Sequence, residues 1–244
     1  MSFGPGPLST ALKGLIGATV GVFLLQVVAE WSGWNLTWTF SLRPVEVFER
    51  FQLWRVASYM FLHDPRNLFH LLFNMLALWM FGTELERIWG TRYFLKFYFV
   101  TGIGAGVLTA LFSLLPFDFA AHVYGSYIYG ASGAIFGLLL AYAMYFPERE
   151  MYLWMLFPVK TKYAVMIFGA IELFLTITGS NGTANATHLS GFVVAYLFLK
   201  GGRMQLHPWS DVKYRYLKWK INRARARFDV YQGGRAKDWD RKVH

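Results

Sequence analysis

The chain has 244 residues, of which 55% are hydrophobic and only 16% charged. Soluble domains carry about 25% charged residues, so the composition points to a membrane protein. There is no cysteine, which excludes a disulfide framework and a thiolate metal site. The net charge of +10 is concentrated at one end, with 13 of the 24 Lys and Arg lying from Lys200 onward. Beside a membrane span, such a block reads as a tail against anionic lipid rather than as a nucleic-acid site.

In chain order, the first ten residues, MSFGPGPLST, hold no Lys or Arg, and no cleavage-site pattern follows. The first apolar stretch is therefore expected to stay as a helix and not to be removed. Six stretches approach the roughly 17–25 apolar residues needed to cross a bilayer: about 11–29, 67–83, 93–115, 128–146, 163–179 and 184–200. The expected fold is all-α: a six-transmembrane-helix bundle over 1–200, followed by a basic cytoplasmic tail over 201–244. Six spans put both termini on one side. The Lys/Arg bias makes that side cytoplasmic, with 20 basic residues inside and 4 outside.

The first outer connection, about 30–66, is long and aromatic (Trp31, Trp34, Trp38, Phe40, Phe48, Phe51 and Trp54). Tryptophan favours the headgroup region, so this loop is expected to lie partly in the outer leaflet. In the tail, Tyr214, Leu217, Ile221, Ala224 and Phe228 recur at helical spacing among basic residues, the pattern of an amphipathic helix on a membrane surface.

With this topology, depth can be assigned to each polar residue within a span. Ser132 in YGASGAIFG lies near the outer end of the fourth span, and His188 in THLSG near that of the sixth. His70 and Asn74 in HLLFN lie near the outer end of the second and, at i and i+4, share a helix face. Four polar groups on three parallel helices reach a similar depth, where a shared water-filled cavity would meet their burial cost.

A serine hydroxyl needs a base to become a nucleophile, and neutral imidazole is the usual one. A helix N-terminus at Ser132 would favour a developing oxyanion. Asn74 and His70 add side-chain donors to it. No Asp or Glu is read near the sixth span, so no carboxylate is expected to orient His188 and the expected unit is a Ser-His dyad. Glu172 in the fifth span reads as a protonated acid or one bonded to a neighbouring helix, without a catalytic role.

Each residue also has a plainer reading. Gly133 and Gly137 form a GxxxG spacing that serves close helix packing, as do Gly102, Gly106, Gly191 and Ala195. His70 with Asn74 reads as an interhelical hydrogen-bond pair. His63, His122 and His207 read as surface histidines. His70 and His188 lack a third ligand at their depth, so no metal and no cofactor are expected. The common depth of Ser132, His188, His70 and Asn74 tips the balance toward chemistry.

From about Trp54 to Leu199 the chain resembles the rhomboid intramembrane serine proteases. GASGAIFG, Gly130 to Gly137, is similar to their GxSGxxxG motif, HLLFN to their HxxxN, THLSG to the segment carrying their histidine, LWR to their Trp-Arg pair, and ELERIWG to a Glu-x-x-x-Gly connection. The resemblance implies Ser132 as nucleophile, His188 as base, and His70 and Asn74 as oxyanion partners. It implies structural roles for Trp54, Arg55, Gly130, Gly133, Gly137 and Gly191. Many relatives place a tyrosine four residues after the serine, stacked on the histidine; here Phe136 stands there. The small pair in the sixth span is Gly191 with Ala195 rather than two glycines.

The implied activity is cleavage of transmembrane protein substrates, with membrane lipid as the tail's partner and no nucleic acid. The fifth span and the outer loop after it are the candidate route for lateral entry. A bacterial cell membrane is the expected location. A catalytically inactive client-binding relative, a membrane lipid hydrolase and a transporter remain as alternative readings.

Overall fold

The computed structural model describes residues 6–153, 157–178 and 182–205. Apart from the last residues of the final helix, these belong to the compact unit Met1–Leu199. The tail segment expected to be amphipathic lies outside the described residues, as does His207.

The described helices are α1 (Thr10–Trp31), α2 (Leu36–Phe40), α3 (Pro44–Glu49), α4 (Arg55–Ser58), α5 (Leu68–Trp89), α6 (Thr91–Phe112), α7 (Asp118–Tyr124), α8 (Ser132–Tyr145), α9 (Thr161–Thr178) and α10 (Gly182–Gln205). Four of them, α1, α5, α6 and α9, are long and apolar enough to cross a membrane. The described residues are mostly helical, in line with the helical expectation, with one short strand pair that the sequence pattern did not show. Strands β1 (Glu150–Leu153) and β2 (Phe157–Lys160) form an antiparallel hairpin between α8 and α9, with Glu150 opposite Lys160. Pro147 and Pro158 cannot continue a helix ladder, and the short apolar runs around them pair as strands instead.

Burial separates the two faces of each long helix. On α5, Leu71, Asn74, Met75, Leu78, Phe81, Gly82 and Leu85 form a buried stripe at three- and four-residue spacing. Leu68, Phe69, Leu72 and Phe73, on the other face, are more than half exposed. On α9 the exposed set includes Met166, Leu173 and Phe174. Large apolar side chains in continuous exposed stripes would be untenable in water and fit a hydrocarbon surround.

By contrast, α8 is apolar on every side. Gly133, Ala134, Ile135, Gly137, Leu138, Leu139, Ala141, Tyr142 and Ala143 are all buried, which makes it the central helix. It has 14 residues, about 21 Å at 1.5 Å per residue, well short of the ~30 Å hydrocarbon core. It starts four residues later than the apolar pattern predicts, because Gly130 has φ +128°, outside the helical range.

The far ends of α5 and α6 are tied to α1 through Glu86. Its carboxylate accepts from Ser9 Oγ at 2.5 Å and from Thr91 Oγ1 at 2.6 Å, while Ser9 also caps α1 by accepting from Leu12 N–H. Gly90, with φ +76°, makes the turn and donates to the Glu86 carbonyl.

Candidate active site

Ser132 is the first residue of α8, which has no side-chain cap. The amides of its first turn therefore keep their donors turned toward the space beyond the helix end. The chain reaching this point is held by the first loop. Leu42 and Ile128 exchange both backbone hydrogen bonds at 2.8 Å, and Gly130 N–H donates to the Tyr59 carbonyl at 3.0 Å. The loop in turn is held by Arg55, which is buried and donates to Gln52 Oε1 and to the carbonyls of Trp38 and Ser41. Arg55 thus acts one residue away from Leu42, whose bridge partner Ile128 lies four residues upstream of Ser132. Its neighbour Trp54 is half exposed, with its indole N–H 3.4 Å from the Thr39 carbonyl.

α10 brings His188 to Ser132. Its Nε2 lies 2.7 Å from Ser132 Oγ, and its ring is stacked flat on Phe136, with centroids 4.1 Å apart and planes 7° from parallel. The ring is therefore stacked although Phe136 has no hydroxyl. This approach depends on small residues. A Cβ added at Gly191 would sit 2.1 Å from the Gly133 carbonyl oxygen. One turn further along α8, a Cβ at Gly137 would lie 3.2 Å from Ala195 Cβ and 2.2 Å from Thr101 Cγ2. The methyl of Ala195 is accommodated because Gly137 faces it.

His70 and Asn74 join the same space. His70 Nδ1 accepts from Asp64 N–H at 3.3 Å; an imidazole accepting at Nδ1 carries its proton on Nε2, the nitrogen that faces Gly130. A Cβ at Gly130 would stand 3.0 Å from that nitrogen and 3.5 Å from Ser132 Oγ, so glycine keeps the gap between the two open. Asn74 donates to the His70 carbonyl at 2.7 Å, leaving its second amide hydrogen free to point elsewhere. A cavity of about 760 Å³ is bounded by Ser132, His188, His70 and Asn74, with Asp64, Asn67, Tyr129 and Phe136.

Two sequence expectations need correction. His63, read as a surface histidine, is fully buried, its ring 5.0 Å from that of His70. Burial, and secondarily the neighbouring His70, pushes it down to about 4. Gln26 of α1 fixes it by accepting from its N–H and donating to its carbonyl. A lone glutamine in an apolar helix was the available signal for that clamp. His122, in contrast, is exposed.

The second correction concerns the carboxylate. Glu172 Oε1 of α9 lies 3.1 Å from His188 Nδ1, both side chains being nearly buried. The contact lies off the hydrogen-bond direction, and Nδ1 and Glu172 Oε2 have no hydrogen-bond partner. Reading along the sixth span missed this acid because it arrives across the bundle, from an adjacent helix.

A long-helix membrane bundle with a partly buried serine–histidine contact at one end defines a class, and comparison with known proteins supplies the family. The Rhomboid domain family model matches residues 50–202. The chain belongs to the rhomboid family and is a multi-pass integral membrane protein. It is 28% identical over 192 residues to the rhomboid protease GlpG of Pectobacterium atrosepticum, covering 79% of this chain and 61% of that protein. It is 31% identical over 173 residues to the rhomboid protease GluP of Bacillus subtilis, covering 70% of this chain and 30% of that one. GlpG of Yersinia pestis is 27% identical over 195 residues, at 79% and 61%. The aligned part thus spans less than two thirds of each of these relatives.

Proposed function

We propose that the protein is a serine-type intramembrane endopeptidase that cuts other membrane proteins in or beside their transmembrane segments. The observation that carries this reading is the 2.7 Å contact of His188 Nε2 with Ser132 Oγ inside a polar cavity of a membrane bundle. Ser132 Oγ attacks the scissile carbonyl carbon while its proton passes to His188 Nε2. The resulting oxyanion takes hydrogen bonds from the Ser132 backbone N–H, His70 Nε2–H and the Asn74 amide. When the C–N bond breaks, His188 returns the proton to the leaving amine, and water then hydrolyses the acyl-enzyme by the same steps. The cavity admits that water.

In this reading six helices cross the membrane, with both termini cytoplasmic and the Ser132 end of α8 toward the outside. The shortness of α8 sets the nucleophile below the outer surface, and the basic tail lies on the anionic inner leaflet. The membrane is a bacterial inner membrane. α9 and the segment after it form the side through which a substrate helix enters.

The test compares wild type with Ser132→Ala on a model transmembrane protein and on phospholipid, together with labelling by a fluorophosphonate. Loss of protein cleavage by about 10⁴-fold or more in Ser132→Ala, with wild-type labelling at Ser132, supports the reading. Wild-type protein that neither labels nor cuts makes this a client-binding relative, and Ser132-dependent lipid cleavage alone makes it a lipid hydrolase. Undiminished protein cleavage by Ser132→Ala ends the mechanism.

A further inference from the structure

Glu172 is the only Asp or Glu between Glu150 and Asp211. It sits on α9 six residues before the helix ends at Thr178, about 9 Å from that end. α9 runs opposite to α8 and α10, so this level matches that of His188, the seventh residue of α10. A carboxyl group in hydrocarbon costs free energy unless paired, and an apolar residue there would satisfy α9 as a lipid-facing helix. The side chain turns inward instead, only 13% exposed, to the back of the imidazole whose front meets Ser132.

To accept the serine proton, His188 must be unprotonated at Nε2 and must therefore carry its hydrogen on Nδ1. That hydrogen needs an acceptor. Among the described residues Nδ1 has no hydrogen-bond partner, and Glu172 Oε1 stands 3.1 Å away. At that separation the direction of the contact, not its length, distinguishes it from a hydrogen bond. Catalytic hydrogen bonds are commonly loose in the unliganded state and tighten with substrate bound.

We propose that Glu172 is a positioning residue for His188, extending the Ser132–His188 pair to a third member drawn from α9. It selects the tautomer that has Nε2 free, orients the ring against Phe136, and stabilises the imidazolium formed when Ser132 attacks. The proposal rests on the Ser132–His188 reading given above. It also joins the catalytic histidine to the helix beside the proposed entry route. A displacement of α9 as a substrate enters would then act directly on the base.

The test uses the full chain in detergent, with Glu172→Gln as the near-isosteric neutral variant, Glu172→Met as an apolar one of similar length, and Glu172→Asp as the variant that keeps the carboxylate. Two rates are measured beside thermal midpoints: kcat and KM on a model transmembrane substrate, and the fluorophosphonate labelling rate at Ser132. The small probe needs no opening of α9 for a substrate helix. Both Gln and Met variants should lose about tenfold or more in kcat and in labelling rate, with KM within about twofold. Glu172→Asp should recover part of the labelling rate. A merely structural carboxyl group predicts the reverse, since a neutral or apolar residue in a membrane helix is tolerated and leaves both rates unchanged.

A labelling rate within twofold of wild type in either folded variant overturns the proposal, while an inactive Ser132→Ala would leave the dyad standing. Should one variant fail to fold, the other decides alone. An active Ser132→Ala would remove the underlying reading itself.

Discussion

The two ends of α8 are built on different principles. At the Ser132 end the packing is close: Gly191 meets the Gly133 carbonyl, His188 stacks on Phe136 with Glu172 at its Nδ1, and the buried His63 lies beside His70. At the Tyr145 end the chain passes into the β-hairpin, where Glu148 bridges Lys160 at 2.7 Å and also pairs with Lys162, all in solvent. Arg149 joins Tyr142 at 2.8 Å and Glu84 nearby. Close packing holds the first end and exposed charge pairs the second. Packing is intolerant of added atoms, whereas exposed pairs contribute little and are screened by salt. Precision is concentrated where the proposed proton transfer would need it, and the other end is left adaptable.

The sharpest way to break this contrast is Gly191→Val. Three added carbons have no room against the Gly133 carbonyl. α10 must move out, taking His188 beyond reach of Ser132. Cleavage and fluorophosphonate labelling should both fall by more than about 100-fold, with destabilisation of roughly 1–3 kcal/mol from overpacking. Thermal melts and labelling kinetics read the two effects, and a fully active variant would show that the approach of α8 and α10 is not what aligns the site.

Acid separates the two ends next. His63 has its folded value lowered to about 4 from an ordinary 6.5, so the unfolded chain binds the proton first. Its contribution to stability is therefore present above pH 6.5 and is lost as pH falls toward 4, by roughly 3 kcal/mol at most. Melting curves at stepped pH should show this loss in wild type, and His63→Phe should flatten it.

At the hairpin end, Lys160 and Lys162 hold Glu148 down at about 2. Its contribution persists above an ordinary glutamate value and disappears only as pH falls through about 2. Because Glu148 is exposed, Glu148→Gln should move the melting midpoint by less than about 2 °C at neutral pH, and added salt should shrink even that. A large drop would mean that the hairpin end is as tightly determined as the other.

Membrane character, the long helices and the residues worth watching were all legible in the sequence, because apolar runs and i, i+4 spacing are properties of neighbours along the chain. Ser132, His188, His70 and Asn74 could be singled out because each is an expensive polar group in an apolar run. The chain alone could not say that His63 is buried, since a histidine in a loop looks the same whether or not Gln26 closes over it. Nor could it say that the strap before α8 is pinned by Leu42 and Tyr59, because backbone hydrogen bonds leave no mark on residue type. Glu172 is the clearest case. As a letter in the fifth stretch it was an isolated acid with no evident task. Only the antiparallel passage of α9 beside α10, fixed by packing among distant residues, set its carboxylate 3.1 Å from the histidine ring.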